Sequence, residues 1–205
     1  MKVIILGGFL GSGKTTALMR MARYIVDTTV SEKKNKLVIL ENEVGKVSID
    51  DAFLRGGDFT VNNLFAGCVC CSLAGELISA VARIHKEYDP DWLIIEPTGI
   101  AMPISIQNHL FNLLNLSSRI VVLADASRWK RLHIPMSNML DGQISDADAV
   151  LINKIDLADE ETLDGIERDI SAIEPNAKIF RISALNDVPV AVWAGAAGIE
   201  KEELK

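Results

Sequence analysis

At 205 residues, with 49% hydrophobic residues and a formal net charge of −7, the chain can bury one full core and is short for two ordinary domains. No basic cluster exceeds Lys33-Lys34 and no apolar run approaches the ~18 residues of a membrane span, so the expectation is a cytoplasmic protein that binds neither nucleic acid nor membrane. Its three cysteines all fall between positions 68 and 71, which is poor material for a disulfide framework and good material for a metal or redox site.

The first apolar run, Val3-Ile4-Ile5-Leu6, does not alternate with polar residues, which predicts a strand over 2–7 buried on both faces of a parallel sheet. It leads into Gly8-Phe9-Leu10-Gly11-Ser12-Gly13-Lys14-Thr15, which fills G-x-x-x-x-G-K-[ST] at every fixed position. A helix is expected over 16–24, with Leu18, Met19 and Ala22 near one face. Strand, glycine loop and helix come in the order a phosphate-binding loop needs. Gly8, Gly11, Ser12, Gly13, Lys14, Thr15 and Thr16 are the expected phosphate contacts. Backbone N–H groups wrap the anion, the helix N-terminus adds partial positive charge, Lys14 faces the β- and γ-phosphates, and Thr15 offers its hydroxyl to Mg²⁺. No lysine stands at position 7 or 8, unlike the two-lysine loop of dimeric ATPases.

A polar connection leads to a second apolar run, Leu37-Val38-Ile39-Leu40, expected as the strand beside the first. It delivers Glu41 and Glu43 to the carboxyl edge, where open α/β sheets place ligands. The segment 46–58, with Asp50-Asp51 and Gly56-Gly57, reads as a nucleotide-dependent switch. A short strand over 59–64 precedes Gly67-Cys68-Val69-Cys70-Cys71. A helix over 73–88 follows, with Ser72 as N-cap and Leu77, Ile78, Val81 and Ile84 at helical spacing. The strand 91–96 ends at Glu96, the expected Mg²⁺-side carboxylate, with Gly99 just beyond it; Asp50 is assigned to the same Mg²⁺ side, and Asp125 is the alternative. A helix over 103–116 and a strand over 119–124 follow. The stretch 129–144 is the least readable, with Pro135 expected to interrupt any helix begun near Ser127.

The strand 149–152 runs into Asn153-Lys154-Ile155-Asp156, an N-K-x-D sequence about 140 residues after the glycine loop. At a strand end in such a protein this sequence reads guanine. A carboxylate accepts from the ring N1–H and the 2-amino group, which adenine does not offer. A helix over 160–173 and a last strand over 178–182 precede Ser183-Ala184-Leu185, a loop placed to reach the base from its other side. Residues 186–205 are helix-forming and carry no motif.

Together, Gly8 to Thr15, Glu41-Asn42-Glu43-Val44-Gly45, the C-x-C-C cluster, Glu96-Pro97-Thr98-Gly99 and Asn153 to Asp156 resemble the CobW/HypB/UreG group of phosphate-loop GTPases, most closely its CobW-like branch. The resemblance covers residues 2–185. It implies an α/β fold: a single P-loop NTPase domain over 1–186, a mostly parallel sheet with helices on both faces, and a short helical tail over 187–205 in place of the CobW C-terminal domain. It implies GTP or GDP with Mg²⁺ as cofactors, Lys14 and Glu96 as catalytic residues, Thr15 and Glu96 on the Mg²⁺ side, and Gly99 at the γ-phosphate. Asn153, Lys154 and Asp156, with Ser183 and Ala184, would surround guanine. Glu41, Cys68, Cys70 and Cys71 would hold Zn²⁺ or another transition metal. Lys46 stands where many relatives carry an acidic residue.

Thiols at a helix N-terminus are shifted toward thiolate, the metal-binding form, and such soft ligands suit Zn²⁺ or Cu(I). A redox switch and a set of small buried residues are the competing readings of the cluster. His85 lies fourteen helical residues beyond Cys71, roughly 20 Å, so Glu41 or Glu43 is the better fourth ligand; His109 and His133 read as surface or internally satisfied. The leading expectation is a GTP-hydrolysing metallochaperone or maturation factor for a client metalloprotein. The alternatives are a GTPase that gates cofactor loading on a corrinoid enzyme and a nucleotide-binding interaction module with negligible turnover. No glutamine or arginine is visibly placed to assist hydrolysis, which predicts slow turnover until a partner, or a second copy in a nucleotide-dependent homodimer, completes the site.

Overall fold

The computed structural model describes residues 1–29, 36–41, 59–63 and 73–200. Among these, the chain runs β1 (Lys2–Gly8), α1 (Lys14–Thr28), β2 (Leu37–Glu41), β3 (Phe59–Asn63), α2 (Leu73–Glu87), β4 (Trp92–Glu96), α3 (Pro103–Leu114), β5 (Ser118–Asp125), α4 (Trp129–Ile144), β6 (Ala149–Asn153), α5 (Glu160–Ile173), β7 (Lys178–Arg181) and α6 (Val190–Ala197). The strands form one parallel sheet in the order β3-β2-β4-β1-β5-β6-β7.

The unalternating strands are explained by helices on both faces. Val3 and Ile5 of β1 face a core completed by Leu77, Val81 and Ile84 of α2, Leu110 of α3, Trp129 and Ile144 of α4, and Leu163, Ile166 and Ile170 of α5. Ile4 and Leu6 face the opposite core, with Leu18, Met21, Ala22 and Ile25 of α1 and Trp193, Ala196 and Ala197 of α6. The expected tail residues 190–197 therefore pack on the same sheet as the glycine loop's helix.

Two expectations are corrected. β2 pairs with β4, not with β1; the strand carrying Glu41 is thus one place removed from the phosphate-loop strand, and the register sets Glu41 directly beside Glu96. The stretch 129–144 is a helix despite Pro135. The proline's missing N–H and its ring disrupt the turn, Met136 takes the break at φ −130° and ψ 26°, and the helix resumes because Trp129 before the break and Leu140, Gln143 and Ile144 after it are all buried on the sheet.

β1 has β4 on one side and β5 on the other, and the helices leading toward these two sides, α1 and α3, lie on opposite faces. The sheet thus reverses its winding at the carboxyl end of β1, where a crevice opens. Gly8 to Thr15 occupy that position.

Candidate functional site

The loop leaves β1 at Gly8 and enters α1 through Gly13, which is left-handed at φ 93° and caps the helix without a side-chain hydrogen bond. No acidic residue occupies the first turn of α1, so the positive end of the helix dipole faces the crevice uncompensated. Ser12 is fully buried and its Oγ has no hydrogen-bond partner. A buried hydroxyl left unmatched costs about 1–3 kcal/mol, and an anion in the loop would remove that cost. Lys14 is 8% exposed as the first residue of α1, and Thr16 beside it is exposed. The loop fits a phosphate group.

Next to it, Thr15 Oγ1 donates to Glu96 Oε1 at 3.2 Å. Glu96 and its neighbour in register, Glu41, are both buried. A hydroxyl with a carboxylate is a hard oxygen donor set of the kind Mg²⁺ takes, so Thr15 and Glu96 are the residues that would hold that ion. Gly99 follows on a loop held by a residue the sequence analysis did not single out: the buried Gln143 of α4 donates through Nε2 to Gly99 O at 2.9 Å and Ala101 O at 3.2 Å. Asp50, like Glu43 and the segment 46–58 expected as a switch, lies outside the described residues.

On the other flank, Asn153 ends β6 and joins two loops. Its Nδ2 donates to Ser12 O at 2.8 Å and its Oδ1 accepts from Ala184 N at 2.8 Å. A Cβ on Gly13 would lie 2.4 Å from that Nδ2, so the contact itself demands glycine at this point of the motif. Lys154, left-handed at φ 64°, donates to Gly11 O at 2.6 Å and to Asp125 Oδ2 at 2.7 Å. Asp156 follows on a single 3₁₀ turn and is exposed. With Ser183 and Asn186 it lines an open pocket of about 430 Å³. The Ser183–Asp187 stretch is pinned from α1, where Arg20 donates to Leu185 O at 2.9 Å and to Asn186 O. The helix that carries the phosphate lysine therefore also locates the expected base loop. Arg20→Ala should weaken guanine-nucleotide binding about five-fold, the worth of roughly 1 kcal/mol of lost charged hydrogen bonding; titration with fluorescent GDP measures it, and unchanged affinity would remove Arg20 from the site.

Asp125, the alternative Mg²⁺ carboxylate read from the sequence, is bonded by Lys154, Ser127 and Arg128. Burial alone would push its pKa up, but hydrogen bonds from Lys154, Ser127 and Arg128 outweigh it and hold the carboxyl below its usual range. It stays ionised and is committed to the outer flank of the loop. Among the described residues no group of three His, Cys, Asp or Glu side chains could hold a metal ion; Cys68, Cys70 and Cys71 lie outside them, and Glu41 alone of the expected transition-metal ligands lies within. His133 is internally satisfied, bonding Asp141 at 2.7 Å and stacking on Trp129. No described helix is long and apolar enough to cross a membrane.

A glycine loop at the switch point of a parallel sheet, with a threonine–carboxylate pair on one flank and an N-K-x-D turn on the other, defines a P-loop nucleotide-binding domain. Residues 2–181 match the CobW/HypB/UreG nucleotide-binding domain, and the chain belongs to that family. It is 28% identical to zinc-regulated GTPase metalloprotein activator 1 of Dictyostelium discoideum over 87% of this chain and 45% of that protein. It is 29% identical to the zinc chaperone YjiA of Escherichia coli over 98% of this chain and 63% of that one. The chain thus spans about half to two-thirds of the length of these relatives. Among solved structures, the hydrogenase maturation factor HypB of Archaeoglobus fulgidus superposes with a TM-score of 0.67 at 23% identity, covering 94% of this chain and 86% of that one, which is a likeness of fold.

Proposed function

We propose that this chain is a GTP-hydrolysing module of a metallochaperone, in which nucleotide state alters the affinity of a Glu41/cysteine site for a transition-metal cargo destined for a client metalloprotein. The observation that carries the reading is the pairing of Glu41 with Glu96 in register on adjacent strands, with Thr15 of the phosphate loop bonded to Glu96. Thr15 and Glu96 serve the nucleotide's Mg²⁺, and the neighbouring carboxylate serves the cargo. The two sites share a strand boundary, so charge and position at one are felt at the other. The zinc chaperones among its relatives favour Zn²⁺ as that cargo, and thiolates with a carboxylate form a donor set that suits it.

Coupling between two ligands is reciprocal: the factor by which GTP changes metal affinity equals the factor by which metal changes GTP affinity, typically about 5- to 150-fold. Zn²⁺ titrated into the reduced protein with GTP analogue, with GDP and without nucleotide should reveal a difference of that order. Cys70→Ala with Cys71→Ala should remove it together with the tight Zn²⁺ site. Equal Zn²⁺ affinity in the analogue and GDP states would refute the coupling and leave a GTPase with structural or redox cysteines.

A further inference from the structure

The outer side of the phosphate loop carries a cation that the glycine-loop motif does not account for. Arg128, immediately before α4, donates from Nε to Asp125 Oδ2 at 2.7 Å and from Nη2 to Leu10 O at 2.7 Å. Lys154 bonds the same Asp125 oxygen at 2.7 Å and reaches Gly11 O at 2.6 Å. Two cations share one buried carboxylate, and each holds one of two consecutive carbonyls at the crest of the loop. The cluster bears one net positive charge.

Each of these carbonyls belongs to the same peptide unit as the next residue's N–H. A cation bonded to Leu10 O draws density from the Leu10–Gly11 peptide and strengthens the Gly11 N–H as a donor; Lys154 holds the next carbonyl, Gly11 O, whose peptide N–H, that of Ser12, donates to Phe9 O at 3.1 Å. Gly11 is left-handed at φ 75°, and a Cβ there would lie 2.9 Å from Arg128 Nη2. The backbone conformation favours glycine here, and any larger residue would also push the guanidinium aside. Arginine suits the position because its rigid fork engages Asp125 through one nitrogen and Leu10 O through another, a geometry that lysine's single ammonium does not reproduce.

We propose that Arg128 is a positioning residue for GTP hydrolysis, an arginine supplied in cis that acts from outside the loop. It holds and polarises the Leu10–Gly11 peptide so that the Gly11 N–H is a stronger donor toward charge that redistributes over the phosphate oxygens in the transition state. The proposal rests on the GTPase reading above. It also answers the apparent lack of an arginine near the phosphates: Arg128 reaches the loop through its carbonyls.

The test is single-turnover GTP hydrolysis, with equilibrium affinities for GDP and a GTP analogue, in the wild-type chain, Arg128→Ala and Arg128→Lys. Arg128→Ala should slow the hydrolytic step about tenfold or more while GDP affinity changes by less than about threefold, since the lost interaction counts mainly in the transition state. Arg128→Lys should recover part of the rate. Free guanidinium at low millimolar concentration should restore part of the Arg128→Ala rate and leave the wild-type rate unchanged. An unchanged rate in Arg128→Ala, or equal losses in rate and GDP affinity that guanidinium does not rescue, overturns the role of Arg128. A wild-type chain that binds GTP but never hydrolyses it overturns the GTPase reading and this proposal together.

Discussion

Lys14→Ala should abolish measurable GTP hydrolysis, lowering the single-turnover rate by about 10³-fold or more, in line with the loss of a preorganised charge at the reacting phosphates. The residue is the first of α1, 8% exposed, at a helix N-terminus with no acidic side chain in its first turn and beside the orphaned Ser12 hydroxyl. Its ammonium therefore adds to the helix dipole in a water-poor pocket, where each charge counts for more than at the surface. Glu96→Gln is the companion variant. It keeps the shape of the side chain and an oxygen to accept from Thr15, removes the negative charge that Glu96 would offer Mg²⁺, and should lower hydrolysis about 10²-fold while sparing most GDP binding. Rapid-quench hydrolysis and GDP titration separate the two effects. A Lys14→Ala rate within tenfold of the native one would take Lys14 away from the phosphates, and normal hydrolysis by Glu96→Gln would take Glu96 away from Mg²⁺, with Glu41 the buried carboxylate next to it.

Features carried by near neighbours in the chain were legible before any coordinates. The glycine loop and the N-K-x-D turn are short, fixed spacings, and each strand is a compact apolar run, so residue types alone located them. What joins these pieces was not legible. Arg128 meets Leu10 across 118 residues, Gln143 meets Gly99 across 44, and Arg20 meets Asn186 across 166. A surface arginine with a polar partner looks in sequence like any other, because the partner is chosen by the strand order. That order was itself misread at one point: β2 follows β1 in the chain, yet β4 lies between them. The error matters, since the true register is what brings Glu41 beside Glu96. The kinked helix α4 shows the reverse, a local breaking signal at Pro135 overruled because the burial of Trp129, Leu140 and Ile144 on the sheet outweighs one lost hydrogen bond.

Asp156→Asn should exchange guanine for xanthine specificity, weakening GTP by about 10²-fold or more and raising affinity for xanthosine triphosphate. The carboxylate rides on a 3₁₀ turn that the rest of the flank positions. Lys154 before it is held in a left-handed conformation by Gly11 O and Asp125, and the Ile155 amide donates to Ile182 O at 3.3 Å, which ties the turn to the strand end that precedes Ser183. Asp156 itself is exposed and bears no resolved structural duty, so the substitution tests recognition and not folding. Guanine presents two donors, N1–H and the 2-amino group, and an ionised carboxylate accepts both. An asparagine retains one acceptor and replaces the other with an NH₂ donor, which faces the guanine amino group donor to donor and matches the xanthine 2-oxo group. The loss is large because the bound base itself covers the pair, and donor turned against donor then leaves both groups without a partner. Competition of GTP, ATP and xanthosine triphosphate against fluorescent GDP, in native and Asp156→Asn protein, reads the exchange. GTP affinity unchanged by the substitution would remove guanine recognition from Asp156, and native ATP affinity equal to that for GTP would remove it from the whole Asn153–Asp156 turn.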